Sequence, residues 1–149
     1  MTPDERLVEL GLVLPVIGAP SGSYSHLIQD GNLIYLAGKG PPDVFGKVGK
    51  DFTTQDANHI AALVGLQLLA VIKEEFGTLN VVDRFVKVLG FVNATENFQD
   101  HPQVINGCSD LFISVFGDRG LHARSAIGVA SLPFGIPLEI EAILKVRAD

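Results

Sequence analysis

The chain has 149 residues, a length that suits one domain with a hydrophobic core of its own. It is 47% hydrophobic and 19% charged, which excludes an intrinsically disordered chain. Eleven Lys and Arg against 17 Asp and Glu give a net charge of -6, and no basic cluster is present. A nucleic-acid partner is therefore not expected, although a small local site is not excluded.

The cellular compartment is predicted from the N-terminus, the cysteine count and the apolar segments. The N-terminus carries acidic residues early and has no basic region followed by a long apolar one, so we expect no signal peptide. The longest apolar stretch, residues 60–72, is shorter than the ~20 residues that a membrane span needs. The lone Cys108 excludes an internal disulfide and fits a reducing compartment. These features predict a cytoplasmic protein.

The first half of the chain predicts a short helix, a hairpin and an irregular loop. Thr2-Pro3-Asp4-Glu5 is typical of a capping box, and Gly11 ends the helix that follows. Two strand-like segments flank Asp30-Gly31, a dipeptide that favours a type I′ hairpin turn. The Gly- and Pro-rich residues 38–51 predict a surface loop.

The second half predicts two helices and three strands. Thr53 caps a long helix that Gly77 ends, and residues 84–93 are β-branched and aromatic, as in a strand. Pro102 opens a second helix, whose apolar stripe includes Cys108; we expect this residue to be a small core residue and not a nucleophile. Strands follow at 124–131 and 137–146, and we expect them to form a hairpin about Phe134-Gly135.

This order of elements predicts a single α+β domain. Two helices would cover one face of one mostly antiparallel sheet. In the last strand, one face is wholly apolar: Leu138, Ile140, Ala142, Leu144 and Val146. The other face mixes acids with apolar residues: Glu139, Glu141, Ile143 and Lys145. Because two helices cover only one face, the second face predicts a subunit interface with polar pockets.

Common catalytic and metal-binding motifs are absent from the sequence. The four histidines lack the spacing of metal ligands, and we expect them to be solvated or to lie in loops: His26, His59, His101 and His122. No GxSxG, P-loop or GxGxxG pattern is present. We therefore expect no metal and no cofactor.

Arg124, Glu139 and Tyr24 are candidate functional residues, each with a simpler alternative. Arg124 begins a predicted strand and can be a partner in a surface salt bridge. Small residues follow it, however, and a guanidinium above small residues suits a bidentate carboxylate. Glu139 is either an interface acid or a group that orients or deprotonates a water. Tyr24 is either a packing residue or the polar edge of a pocket.

The C-terminal sequence resembles the RidA/YjgF family, the reactive intermediate deaminases. Ala123-Arg124-Ser125, then Leu132-Pro133, then Leu138-Glu139-Ile140-Glu141-Ala142-Ile143 carry the most specific part of the resemblance. GSYSHLIQDGNLIYLAGKGP and FVNATENF, followed by a helix with Asn106, are also similar. The resemblance extends from about Ser21 over the rest of the chain.

The resemblance implies a chorismate-mutase-like fold, a homotrimer with clefts between subunits, and hydrolysis of 2-imino acids to 2-oxo acids and ammonia. Carried over by position, Arg124 would bind the substrate carboxylate with help from the backbone N–H of Ala126, and Glu139 would hold the attacking water. The remaining residues implied at the cleft are Tyr24 at its lining, Gly38 through its backbone, and Asn106 at its wall.

The sequence departs from the family pattern in four places, and the first of them bears on the choice of substrate. Ala37-Gly38-Lys39 replaces the usual Ser-Gly-Gln, so that Lys39 adds a charge near the cleft. Residues 100–103 look like an insertion before the second helix, and residues 1 to about 15 look like an N-terminal extension that could reshape the cleft. Ala126 stands where many members have Cys, with no expected loss because this position acts through its backbone.

Two other functions are compatible with the sequence: a ribonuclease acting on messenger RNA, as described for some family members, and a non-catalytic trimer that binds small carboxylates. In a hairpin about Phe134-Gly135, Arg124 and Glu139 would be six residues apart in register, or ~20 Å. One small substrate cannot touch both across that distance. We therefore expect each site to be shared between two chains.

Overall fold

A computed structural model describes residues 1–148 of the chain. It contains three α-helices and five strands: α1 Pro3–Glu9, β1 Leu27–Asp30, β2 Leu33–Lys39, α2 Thr54–Phe76, β3 Val82–Asn93, α3 His101–Phe116, β4 Ala123–Val129 and β5 Leu138–Val146. Their order and type confirm the predicted α+β domain. Among these residues, no helix is both long and apolar enough to cross a membrane.

The helix ends follow the capping signals in the sequence. Thr2 and Thr53 both form capping boxes, with Glu5 and Asp56 as their partners. The left-handed Gly77 (φ 77°) ends α2, a conformation that costs glycine little because it has no Cβ. Residues 100–103, the expected insertion, begin α3: Asp100 is its N-cap, and the next three residues form its first turn.

The five strands form one sheet in the order β1-β2-β5-β3-β4. All neighbours are antiparallel except β3 and β4, which are parallel. The predicted hairpin of the last two strands is therefore wrong, because β3 lies between them. The strongly apolar β5 gains most by pairing on both sides in the middle of the sheet, whereas β4, with Arg124, Ser125 and Gly128, is suited to an edge.

The first hairpin forms as predicted, but with a different turn. Asp30 pairs with Leu33, so the two loop residues are Gly31 and Asn32. Gly31 has a positive φ of 62°, and Asn32 does not. A type I′ turn needs positive φ at both central residues, whereas type II′ needs it only at the first. The turn is therefore of the type II′ kind.

Helices α2 and α3 pack together over one face of the sheet. The apolar face of β5 is buried beneath them, as the alternation of the strand predicts. Cys108 is fully buried in this core, and burial raises the pKa of its thiol, which confirms a packing role. Gly107 allows the helices to approach closely: a Cβ there would lie 1.9 Å from the Asn58 carbonyl oxygen.

The other face of the sheet has no helix above it within residues 1–148. Glu139, Glu141 and Ile143 of β5 are half-buried there, and Tyr35 of β2 and Ile127 of β4 are 42% and 45% exposed. Such a mixture of exposed aromatic and aliphatic groups with acids is typical of a surface that meets another protein. The predicted subunit interface on this face stays a prediction.

Candidate functional site

Arg124 lies on the face of β4 that is turned toward the helices. It pairs with Val88 of β3, whose side chain is in the core. Its Nη1 donates to Asn106 Oδ1 at 2.8 Å and to Ser109 Oγ at 3.1 Å. Asn106 and Ser109 are three residues apart on α3 and therefore share a face of that helix. Arg124 and Asn106, both predicted at the cleft, are therefore in direct contact.

A chain of hydrogen bonds orients Ser109. His122 Nδ1 is 2.7 Å from the Gly120 carbonyl oxygen and therefore carries the proton, because a carbonyl only accepts. Its Nε2 then accepts from Ser109 Oγ at 2.9 Å, which leaves the Ser109 oxygen to accept from Arg124. Burial, and then the charge of Arg124, lower the pKa of His122, which favours this neutral ring.

One edge of the Arg124 guanidinium is left without a protein partner. Both hydrogen bonds of the side chain use Nη1. Within residues 1–148, neither Nε nor Nη2 donates to another group. Arg124 also makes no ion pair in this part of the chain, so it forms no salt bridge within the described residues. The free edge of Nε–H and Nη2–H has the geometry that binds a carboxylate through two parallel hydrogen bonds.

A second group of predicted residues lies in a cleft of about 1110 Å³ at the end of β2. Tyr24, Gly38, Lys39 and Glu139 all line it, whereas Arg124, Asn106 and Ala126 do not. The cleft lies where the pairing of β1 with β2 stops: the last bond runs from Ala37 N to the His26 carbonyl oxygen, and Gly38 and Lys39 have no partner on that side among the described residues. Residues 13–19 form one wall, which agrees with the expectation that the N-terminal segment shapes the cleft.

Glu139 and Gly38 are in direct contact inside the cleft. A Cβ added at Gly38 would lie 2.7 Å from Glu139 Oε2, so only glycine leaves the carboxyl group its place. Burial, followed by the neighbouring charge of Glu141, raises the pKa of Glu139 above its ordinary value. Lys39 acts in the opposite direction but does not cancel these effects. A carboxylate made more basic in this way suits the abstraction of a proton.

Buried Lys39 and half-buried His26 form a pair beside this carboxyl group. Lys39 Nζ lies 2.8 Å from His26 Nδ1, and His26 Nε2 lies 2.7 Å from the Gly18 carbonyl oxygen. His26 is in a loop, as expected, but both of its ring nitrogens are bonded to the protein. His122 is likewise bonded at both nitrogens and lies in the loop before β4. The expectation of solvated or loop histidines therefore holds for these two through their loop positions, although neither ring is free.

Tyr24 lies at the polar edge of the cleft, as one of the two alternatives predicted. It is 48% exposed, and its hydroxyl is 3.2 Å from Ser21 Oγ. The hydrogen bonds from Ser21 lower the pKa of the Tyr24 hydroxyl, with a smaller contribution from the charge of Lys39. Tyr24 is therefore a hydrogen-bonding group at the mouth of the cleft and not a core residue.

The two predicted catalytic residues lie on opposite faces of the sheet. Glu139 pairs with Phe91 on the open face, and Arg124 pairs with Val88 on the helix face. Two strand spacings and three residues along β3 separate their backbones by ~14 Å, less than the ~20 Å of the assumed hairpin. A small ligand still cannot touch both side chains of one chain, because the sheet lies between them.

The space expected beside β4 is partly filled. Ala126 and Gly128 share the helix face of β4 with Arg124. A Cβ at Gly128 would lie 2.5 Å from His101 Nε2, so this imidazole occupies the room next to the glycine. Ala126 packs against the core and is half-buried. Access to the backbone of β4 is therefore from its outer edge, which no other strand covers.

Sequence reasoning missed His26, Ser109 and His122, which contact the predicted site residues. One signal was available: Ser109 is three residues after Asn106 on a helix, and this spacing places both beside one partner. Within residues 1–148, no group of three His, Cys, Asp or Glu could hold a metal ion.

The fold and the two residue groups define an α+β protein with a cleft at the end of its sheet. Residues 4–138 match a family described as "YjgF/chorismate mutase-like, putative endoribonuclease". This match spans most of the chain, and the chain belongs to that family. The resemblance seen in the sequence is therefore confirmed.

Two relatives and one solved structure are examples of proteins similar to this chain. Protein TCP17 of Trypanosoma cruzi is 35% identical over 95% of this chain and 92% of its own. The 2-iminobutanoate/2-iminopropanoate deaminase of Dermatophagoides farinae is 30% identical over 89% of this chain and 93% of its own. The crystal structure of Atu1372, a protein with unknown function from Agrobacterium tumefaciens, has a TM-score of 0.88 and 36% identity and covers 99% of this chain and 93% of that one.

Proposed function

We propose that this protein hydrolyses 2-imino acids to 2-oxo acids and ammonia, at sites formed between subunits of a homotrimer. The observation that carries the proposal is that each chain has two half-sites, which lie on opposite faces of the sheet. One is a guanidinium with a free edge, and the other is a desolvated carboxyl group in a cleft. A second copy packed on the open face would bring its own Arg124 toward the cleft of the first.

The Arg124 half-site supports the choice of a carboxylate substrate. Asn106 and Ser109 hold Nη1, so the Nε and Nη2 edge is presented without rearrangement of the side chain. A planar carboxylate would accept two parallel hydrogen bonds there, and the outer edge of β4 would add the backbone N–H of Ala126. A lysine could not replace this fork, because its ammonium is a single point charge.

The Glu139 half-site supports hydrolysis. Its raised pKa makes Glu139 a stronger base than an exposed glutamate, and Gly38 leaves the carboxyl group free to reach into the cleft. Glu139 would take a proton from water as the water attacks the iminium carbon, and would return one to the departing amine. The iminium carbon is already electrophilic, so positioning beside this water supplies much of the acceleration.

The deaminase of Dermatophagoides farinae supports the same reaction at the level of the family, with 30% identity to this chain. The ribonuclease activity named in the family description has less support here. Within the described residues, Lys39 is the one Lys or Arg that lines the cleft, and the chain carries a net charge of -6. RNA binding relies on several cations that neutralise phosphates.

Competition for a trapping reagent tests the proposal. An amino-acid oxidase generates 2-iminobutyrate in the presence of semicarbazide, and the protein should reduce the yield of semicarbazone by converting the imine first. Arg147→Lys, at an exposed arginine, is the control for Arg124→Lys and should compete as the unaltered protein does. An unchanged semicarbazone yield at catalyst concentrations up to that of the imine would overturn the proposed hydrolysis and would favour a carboxylate-binding protein.

A further inference from the structure

Lys39 is a buried lysine without a carboxylate partner. Its exposed fraction is 8%, and no carboxylate oxygen within residues 1–148 lies within 4.0 Å of Nζ. His26 Nδ1 is the hydrogen-bond partner that the described residues offer to the amine. Buried lysines are normally paired with an acid, because an isolated ammonium is costly to remove from water. Lys39 therefore requires an explanation beyond packing.

The hydrogen bonds of His26 limit the charge of this pair. His26 Nε2 must carry a proton, because it faces the carbonyl oxygen of Gly18. If Nδ1 also carried a proton, two hydrogen-bond donors, this N–H and the ammonium of Lys39, would face each other across 2.8 Å with no acceptor between them. The pair can therefore hold one positive charge at most, and a neutral Lys39 amine can donate to the unprotonated Nδ1 of His26.

Burial of Lys39 favours the neutral form of its amine. Desolvation lowers the pKa of its amine from the ordinary 10.5, against the smaller opposing effects of Tyr24 and Glu139. An ordinary lysine is neutral in roughly one molecule in 3,000 at pH 7, and each unit by which the pKa falls increases that fraction tenfold. A neutral amine in a dry site is the usual form of a nucleophilic lysine.

The cleft beside Lys39 is lined by apolar side chains that are largely exposed to water while the cleft is empty. Val13, Val16, Leu63 and Phe134 line it, and each is between 59% and 94% exposed. Apolar groups that surround a few polar ones are typical of a small-molecule site. We propose that Lys39 captures carbonyl compounds with an apolar tail as a Schiff base, with the tail held between residues 13–19 and α2.

The step conserves atoms and involves no oxidation or reduction. The lone pair of the Lys39 nitrogen forms a bond to the carbonyl carbon, and the C=O π electrons move to the oxygen. The amine gives up its two protons, the first through His26 Nδ1, and the carbonyl oxygen receives both. The C–O bond then breaks, the nitrogen lone pair forms the C=N bond, and water leaves.

This site uses residues of one chain and does not depend on imine hydrolysis. The Arg124 of the same chain, which the proposed hydrolysis requires of a neighbouring copy, lies across the sheet and does not line this cleft. Hexanal has no carboxylate for an arginine to bind, so the Arg124→Lys variant should keep the capture of hexanal even where it stops imine turnover. The two proposals can fail separately.

Reductive trapping tests the capture in the unaltered protein. The protein is incubated at pH 7 with hexanal or with 2-oxohexanoate and cyanoborohydride, and the labelled lysines are mapped by peptide mass spectrometry. The exposed Lys50 is the internal control. We expect the peptide of Lys39 to be labelled several-fold faster than that of Lys50, because the rate follows the fraction of neutral amine and the cleft holds the apolar tail. Glycolaldehyde, which has no apolar tail, should show a smaller preference.

Labelling of Lys39 by either reagent supports the proposal and shows whether an aldehyde or a 2-oxo acid is accepted. Equal rates at Lys39 and Lys50 with both reagents would overturn it, and an equal preference with glycolaldehyde would overturn the role of the apolar walls. Lys39→Gln should lose the fast label, whereas Lys50→Gln should retain it. If Lys39→Gln does not fold, the peptide map of the unaltered protein still decides.

Discussion

Glu139 keeps its position in the cleft because residue 38 has no side chain: a Cβ there would lie 2.7 Å from Oε2 and 3.0 Å from Cδ. Gly38→Ala should push the carboxyl group aside, since a flexible side chain gives way more easily than the sheet. A shift of ~1 Å in a reacting group can cost about 100-fold in rate. We expect such a fall in kcat for imine hydrolysis with little change in Tm.

Gly18→Ala is the control for this change, because Gly18 also lines the cleft and has open space where its Cβ would be. It should leave kcat unchanged. A Gly38→Ala protein with full activity would contradict the requirement for Glu139 at its present position.

Arg124→Lys should nearly abolish imine hydrolysis while the protein stays folded. A lysine cannot reproduce the two parallel hydrogen bonds of the Nε and Nη2 edge, and the loss should cost at least ~2 kcal/mol in transition-state binding, or more than tenfold in kcat/KM. Steady-state kinetics measure the effect, and circular dichroism checks the fold. Activity within about twofold of the unaltered protein would exclude the carboxylate-binding role.

Glu139→Gln should reduce turnover more than binding. Glutamine keeps the size and can accept a hydrogen bond, but it cannot act as a base near neutral pH. Carboxylate affinity from calorimetry should change little while kcat falls. The opposite result, with lost affinity and an unchanged rate per bound substrate, would make Glu139 a binding residue.

The pH profile should show the raised pKa of Glu139. A base works only when ionised, so kcat/KM should fall as the pH drops through this pKa, with a midpoint above the ordinary 4.5. Glu141 contributes to the shift, and it lies on the same face of β5 but outside the cleft. Glu141→Gln should therefore keep the rate at neutral pH and move the acidic limb to lower pH. An unmoved limb would assign it to another group.

Mixing two inactive proteins should restore activity if each site is shared between chains. Arg124→Ala and Glu139→Ala each destroy one half-site, and subunit exchange creates clefts that combine the intact Glu139 of one chain with the intact Arg124 of another. Activity should return as mixed trimers form, which native mass spectrometry follows. Mixed trimers that remain inactive would contradict the shared site.

Gly107→Ala should destabilise the core, because its Cβ would meet the backbone of α2 at 1.9 Å and the helices would have to separate. We expect a loss of at least about 2 kcal/mol in the free energy of unfolding. Gly65→Ala is the matched control on the other helix: its Cβ would meet the flexible end of Leu111 at 2.8 Å. Its loss in chemical denaturation should be clearly smaller, and equal losses would show that the close backbone approach has no special importance.

Local signals in the sequence were sufficient to predict the elements. Capping boxes at Thr2 and Thr53, the glycine at 77 and the alternation of β5 depend on contacts within a few residues, and all of them are present in the structure. The family and four of the residues that line the cleft, Tyr24, Gly38, Lys39 and Glu139, also followed from short motifs. Such features depend on residues that are close together in the chain, so the sequence alone was enough to locate them.

The tertiary structure alone decided which strands are neighbours and which side chains meet. The last two strands look like a hairpin because they are adjacent in sequence, yet β3 separates them: burial of both sides of β5 outweighs a short connection. Arg124 and Glu139 therefore lie on opposite faces, a relationship that no local pattern records. The contacts of His26 with Lys39 and of His122 with Ser109 join residues 13 positions apart. They depend on how loops and helices pack, which the spacing of residues along the chain does not determine.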